Sequence, residues 1–199
     1  MTMSASPDQH APPVRIIAIG ASAGGVHELL ALLPQLPLIP NCCLLIVLHL
    51  NPTFRSLLPQ ILRRTARWKV QEAQEGETVR TGIAYIAAPD FHLVITADKL
   101  HLTSTAPVQL QRPSVDVLFA SVAKGHRIGA IAVLLSGAGR DGSDGLRLMK
   151  ISGASTIVQD PAEAKFPSMP EHGIETGCAD FVIPMHSIIA RISSLCAER

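Results

Sequence analysis

The 199 residues suit one compact domain, with room for a second only if both were small. Hydrophobic residues make up 47%, enough for a sizeable core that needs no disulfide or metal as a staple. The formal net charge of +1, from 17 basic and 16 acidic residues, excludes the electrostatic footprint of a nucleic-acid binder, and no basic cluster suggests a membrane surface.

Residues 1–14 are polar and Pro-rich, which predicts a disordered leader. They lack the basic-then-apolar order of a signal peptide. No apolar stretch approaches the roughly 20 residues of a membrane helix, so a cytoplasmic location without membrane insertion is expected. Ile16–Ile19 reads as a short buried strand stopping at Gly20, and Gly25–Leu33 as a helix ending against Pro34. Cys42–Leu48 is almost uniformly apolar, as in a parallel strand buried on both faces. Phe54–Ala66 has amphipathic helical spacing. From Lys69 to Leu102 short runs are broken by Gly76, Gly82, Pro89 and Ala97-Asp98, the punctuation of antiparallel hairpins. The βα rhythm then resumes: a helix over Ser114–Lys124 with Ser114 as cap, a strand over Ala130–Leu135 and a helix over Gly142–Met149. Short strands at Thr156–Gln159 and Phe181–Ile183 and a closing helix at Met185–Cys196 complete the chain.

This alternation predicts an α/β fold: a doubly wound, mostly parallel sheet with helices on both faces and an antiparallel hairpin insertion around 70–102. The four cysteines, Cys42, Cys43, Cys178 and Cys196, include no CxxC pair and no zinc-ligand spacing. They read as reduced thiols of a cytosolic protein.

Ligands of such sheets bind beyond the C-terminal strand ends. The first strand ends in Gly20-Ala21-Ser22-Ala23-Gly24-Gly25, the second in Leu48-His49-Leu50-Asn51-Pro52, and the third in Ser136-Gly137-Ala138-Gly139-Arg140-Asp141-Gly142. A hydroxyl, an imidazole and a carboxylate therefore converge on one sheet edge. Gly20-x-Ser22-x-Gly24 has the spacing of a nucleophile elbow, with small residues around a serine at a helix N-terminus. The same residues could begin a dinucleotide-binding turn. That reading needs an acidic residue at the end of the second strand, where this chain has His49, and no Asp or Glu lies between Glu28 and Glu72. A P-loop fails for want of Gly-Lys-Ser/Thr.

Each member also has a bland reading. His49 alone is more often a satisfied half-buried histidine, and Asp141 is a plausible N-cap for the helix after it. Asp144, one turn further, complements the helix dipole. Of the remaining histidines only His172 is kept as a reserve. The chain order Ser, His, Asp differs from the α/β-hydrolase and protease orders, which geometry-based recognition of triads allows.

The segments IIAIGASAGG, LHLNP, RPSVDVLF (112–119) and LLSGAGRDGSDGL (134–146) resemble the catalytic domain of the bacterial chemotaxis receptor methylesterase, the CheB family. The run at 70–95 and the Ser168-Met169-Pro170 turn support it, and the likeness spans about residues 15–197. The resemblance implies Ser22, His49 and Asp141 as catalytic triad, the Ala23 and Ala138 amides as oxyanion donors, and Met169 in substrate binding. It implies hydrolysis of glutamate γ-methyl esters on the cytoplasmic domain of methyl-accepting chemotaxis receptors, with deamidation of glutamines as a second reaction and no metal or organic cofactor. The chain departs from the family where Ala23 replaces a frequent Thr, Leu48 and Leu50 replace Gln and Met around His49, and Ala138 replaces Met. Only 14 residues precede the first strand, so no receiver domain and no control through an aspartyl phosphate are expected. A catalytically silent member that binds receptor or another signalling protein is the competing expectation.

Overall fold

The computed structural model describes residues 14–49, 58–125 and 129–198. The expected leader, apart from Val14, and the start of the expected 54–66 helix lie outside the described residues.

Nine strands and six helices follow one another among the described residues. They are β1 (Arg15–Ala21), α1 (Gly25–Gln35), β2 (Cys42–Leu48), α2 (Leu58–Thr65), β3 (Lys69–Glu72) and β4 (Ile83–Ile86). Next come β5 (His92–Thr96), β6 (Lys99–Thr103), α3 (Val115–Lys124), β7 (Ile131–Leu134) and α4 (Ser143–Ile151). The chain closes with β8 (Ser155–Gln159), α5 (Ser168–Glu175), β9 (Phe181–Ile183) and α6 (Met185–Ala197).

Seven strands form one sheet in the order β3-β4-β2-β1-β7-β8-β9, every neighbouring pair parallel. A parallel sheet buries both faces, which is why β1 and β2 are apolar at nearly every position. Alternate residues of β1 serve opposite layers. Ile16 and Ala18 pack with Phe119 of α3, Leu146 of α4 and Met169 of α5. Ile17 and Ile19 pack with Leu29 of α1, Leu62 of α2 and Ile192 of α6.

The antiparallel hairpin is present, but narrower than the sequence suggests: among the named strands only β5 and β6 pair antiparallel, with one isolated antiparallel bridge from Thr78 to Lys99 beside them. β3 and β4 instead extend the main sheet in parallel. Their connection, residues 73–82, is too short for the usual helical crossover. It runs back against β6, with Gly76 and Val79 donating to Leu100 and Asp98 carbonyls at 2.8 Å each. That return path produced the hairpin-like punctuation.

Two helices differ from expectation. α1 runs past Pro34 to Gln35, because Leu33 and Leu36 on that last turn are fully buried. Where the sequence suggests only a turn at 168–170, α5 forms a helix that buries Met169, its Pro170 and Gly173 masking the helical pattern. No disulfide links the four cysteines, and the Cys42 and Cys196 sulfurs lie 3.8 Å apart.

Candidate active site

Because neighbours of β1 are β2 on one side and β7 on the other, the chain reverses its winding direction at β1. The crevice at such a switch point is where doubly wound sheets hold ligands. Ser22 follows β1, His49 follows β2, and Asp141 lies beyond β7. The three expected residues meet there. His49 Nδ1 is 3.0 Å from Ser22 Oγ, and His49 Nε2 is 2.7 Å from Asp141 Oδ2.

An ionised carboxylate only accepts, so the Asp141 contact fixes the proton on Nε2 and leaves the Nδ1 lone pair facing the serine hydroxyl. The ring is thus turned relative to serine proteases of the chymotrypsin type, in which Nε2 meets the serine. The imidazole is 6% exposed and the Asp141 side chain 2%, so water competes little for their contact. Ser22 is half-buried and reachable.

Backbone bonds set these positions. The Ser22 amide donates to Ser136 O at 3.0 Å, and the His49 amide to Ala21 O at 3.1 Å. Positive φ falls at Gly24 (78°), and Ser22 is not among the residues of positive φ. The turn resembles a nucleophile elbow in spacing while its unusual backbone angle sits two residues after the serine. Gly20 and Gly137 are required by close approach. A Cβ on Gly20 would strike the Val115 methyls, and one on Gly137 would lie 2.8 Å from Ser22 Cβ and collide with Met169 Sδ.

Asp141 does not cap the helix that follows it. α4 has Gly142 as its N-cap with no side-chain bond. Asp141 reaches across to the start of α3 instead. Its Oδ1 accepts from Ser114 Oγ (2.8 Å) and the Asp116 amide (3.0 Å), while Oδ2 accepts from the Val115 amide (2.7 Å) besides His49. Burial pushes this carboxyl up. The His49 bond and the Asp116 and Val115 amides outweigh burial and hold it below the usual carboxylate range. Sequence reading missed Ser114 and Asp116 as parts of this arrangement; the capping serine in RPSVD was the available signal.

The Ala23 and Ala138 amides donate to no acceptor among the described residues. Both flank the serine in sequence or through the Gly137 approach. Ser136 Oγ donates to Ala23 O at 3.0 Å and accepts from the Phe166 amide at 3.0 Å, tying both turns to the segment before α5. The Met169 side chain is fully buried and packs directly beneath Gly137, in the wall behind the serine loop. His172 stays away from the triad, its Nδ1 donating to Ser168 O at 2.7 Å. Asp144 sits exposed in the first turn of α4, as its dipole reading required. Among the described residues, no group of three or more His, Cys, Asp or Glu side chains could hold a metal ion.

The model of the family described as CheB methylesterase matches residues 17–192. The chain belongs to the CheB methylesterase family. A Sulfurimonas denitrificans protein-glutamate methylesterase/protein-glutamine glutaminase is 38% identical over 189 residues, 93% of this chain and 53% of that protein. A Photorhabdus laumondii protein of the same name is 40% identical over 188 residues, covering 90% and 53%. The chain thus spans about half the length of these two CheB-family relatives. A Leptospira interrogans relative, 36% identical over 173 residues, is covered to 90% of its length. The crystal structure of the Thermotoga maritima CheB methylesterase catalytic domain superposes with a TM-score of 0.85 at 34% identity, over 91% of this chain and 98% of that one.

Proposed function

We propose that this chain is a serine hydrolase that removes methyl groups from glutamate γ-methyl esters of methyl-accepting chemotaxis receptors, and deamidates receptor glutamines by the same route. The observation that carries the reading is the continuous hydrogen-bonded path from Ser22 through His49 to Asp141 in a chain of this family.

His49 Nδ1 takes the Ser22 proton as Oγ attacks the ester carbonyl. The tetrahedral oxyanion is met by the Ala23 and Ala138 amides, whose N–H groups meet no acceptor among the described residues. Asp141 holds the imidazole tautomer and stabilises the imidazolium. Collapse breaks the C–OCH₃ bond, and the imidazolium returns its proton to give methanol. Water, deprotonated by the same nitrogen, then releases the glutamate carboxylate and free Ser22. For a glutamine the leaving group is ammonia. No helix among the described residues is long and apolar enough to cross a membrane. The proposed location is the cytoplasm, where the receptor's cytoplasmic domain presents its esters.

The test is methanol release from methylated receptor cytoplasmic fragments by wild type and Ser22→Ala. The reading expects steady release by wild type and a loss of about 10⁴-fold or more in the variant. A folded wild type that releases none from several receptors overturns it and leaves a silent receptor-binding domain.

A further inference from the structure

The polar network around the triad does not stop at Asp141. Asp141, on the loop before α4, caps the start of α3, and Asp116, in the first turn of α3, caps the start of α4. Asp116 Oδ1 accepts from the Gly142 amide at 2.9 Å and the Gly145 amide at 2.7 Å. In return the Asp116 amide donates to Asp141 Oδ1 at 3.0 Å. Each carboxylate thus closes the other's helix, and both are buried, Asp116 to 7% and Asp141 to 2% exposure. A helix start leaves amides that need acceptors, so neither cap can be lost without orphaning donors inside the fold.

The consequence lies in what each bond restrains. Gly142 directly follows Asp141, at φ 99°, and a Cβ on it would lie 2.6 Å from Leu134 Cδ1. The bond from its amide to Asp116 is therefore the hydrogen bond that fixes the main chain one residue from the triad carboxylate. We infer that Asp116 is a positioning residue for the esterase: it sets the angle at which Asp141 meets His49 Nε2, and it touches neither substrate nor the reacting atoms. The inference rests on the proposed hydrolysis for its kinetic readout only.

The titration of Asp116 supports the geometry. Burial pushes its carboxyl up to about 7; the Gly145 amide opposes this, and the nearby Asp141 and Asp144 charges add to it. Two carboxyls so placed do not both ionise freely. Asp141 is the one held ionised by its partners. The titratable groups facing Asp116 are Asp141 on the preceding loop, Asp144 on α4, His49 behind Asp141 and, from β5, His92, whose Nδ1 accepts from the Ser114 amide at 3.2 Å. β1 presents Gly20 against Val115. Below pH 7 Asp116 carries its proton, and above pH 7 a second negative charge stands beside Asp141. Asparagine at 116 mimics the protonated state at every pH.

The experiment compares Asp116→Ala and Asp116→Asn in the full chain, by kcat and KM for methanol release from pH 5.5 to 9 and by the proton resonance of the His49–Asp141 hydrogen bond. Asp116→Ala is expected to lower kcat by about 10- to 100-fold with KM within about twofold, as misplacement of a catalytic group does. Its His49–Asp141 resonance shifts or broadens. Asp116→Asn recovers most of the lost kcat at pH 6, keeps the resonance, and diverges from wild type above pH 7. If Asp116→Ala does not fold, the asparagine variant alone decides: a kcat profile superimposable on wild type from pH 5.5 to 9 overturns the inference. So does a folded Asp116→Ala with unchanged kcat and unchanged resonance. The resonance needs no substrate, so failure of the methylesterase reading leaves this test intact.

Discussion

The two ends of the parallel sheet each hold a carboxylate kept below its usual range, and the two carboxylates do different work. At the N-terminal end of β8, Asp180 Oδ2 accepts from the Thr156 amide (2.9 Å) and the Thr156 hydroxyl (3.0 Å), while Oδ1 pairs with Lys150. Every partner of Asp180 is spent on holding β8, β9 and α4 together. At the C-terminal end, Asp141 is held by Ser114 and two amides, but its fourth partner, His49, has a second nitrogen aimed at Ser22. A depressed carboxyl marks a well-paired anion in both places; what distinguishes Asp141 is a partner, His49, whose second ring nitrogen keeps a lone pair facing Ser22.

This contrast can be broken. The largest effect belongs to Asp141→Asn, which replaces an acceptor of the Nε2 proton with a group that also donates and admits the wrong tautomer. Methanol release should fall by about 10⁴-fold with the fold intact by circular dichroism. Asp180→Ala, assayed beside it, should leave kcat within about twofold. Equal losses would mean the two ends are not functionally distinct.

Next in size is Gly137→Ala. Its methyl group would press on Ser22 Cβ and Met169, and a displacement of the nucleophile by about 1 Å should lower kcat by about 10²-fold. Full activity in this variant would show that the 136–138 loop is not held against the serine.

Asp180→Ala should then cost about 1–2 kcal/mol of stability through the orphaned Thr156 amide, the Thr156 hydroxyl keeping its bond to Cys178 O at 2.6 Å, and be seen as a Tm lower by about 3–6 °C. The Lys150 pair adds little to that figure, since the lysine is 45% exposed.

The smallest effect is on the pH dependence of Tm. Asp141 and Asp180 are depressed, so their stabilisation is present above the ordinary carboxylate range near 4 and is lost as pH falls through their folded values. Asp116 is raised to about 7, so its contribution is full below about pH 4 and is lost as pH rises through 7. Tm should therefore peak near about pH 4 to 5 and decline toward pH 7, and Asp116→Asn should flatten that decline only.

Ser22, His49 and Asp141 were legible because a parallel sheet delivers its strand ends to one edge, and each residue closes an apolar run. β2 was read to the residue, and α3 with its Ser114 cap nearly so, because burial on both faces and capping leave local marks. The parallel pairing of β3 with β4 was not legible. It depends on a return loop bonded to β6 and the turn before it, a contact between segments about 20 residues apart. The same holds for Asp141, whose local context pointed to α4 while its bonds go to α3, some 25 residues upstream.

The most direct test of the account is rapid-quench peptide mass mapping with a glutamate methyl-ester peptide. The account predicts a transient glutamyl adduct on the peptide containing Ser22, formed in step with methanol and absent from Ser22→Ala. Methanol released at an undiminished rate by Ser22→Ala, or an adduct on another residue, would contradict it.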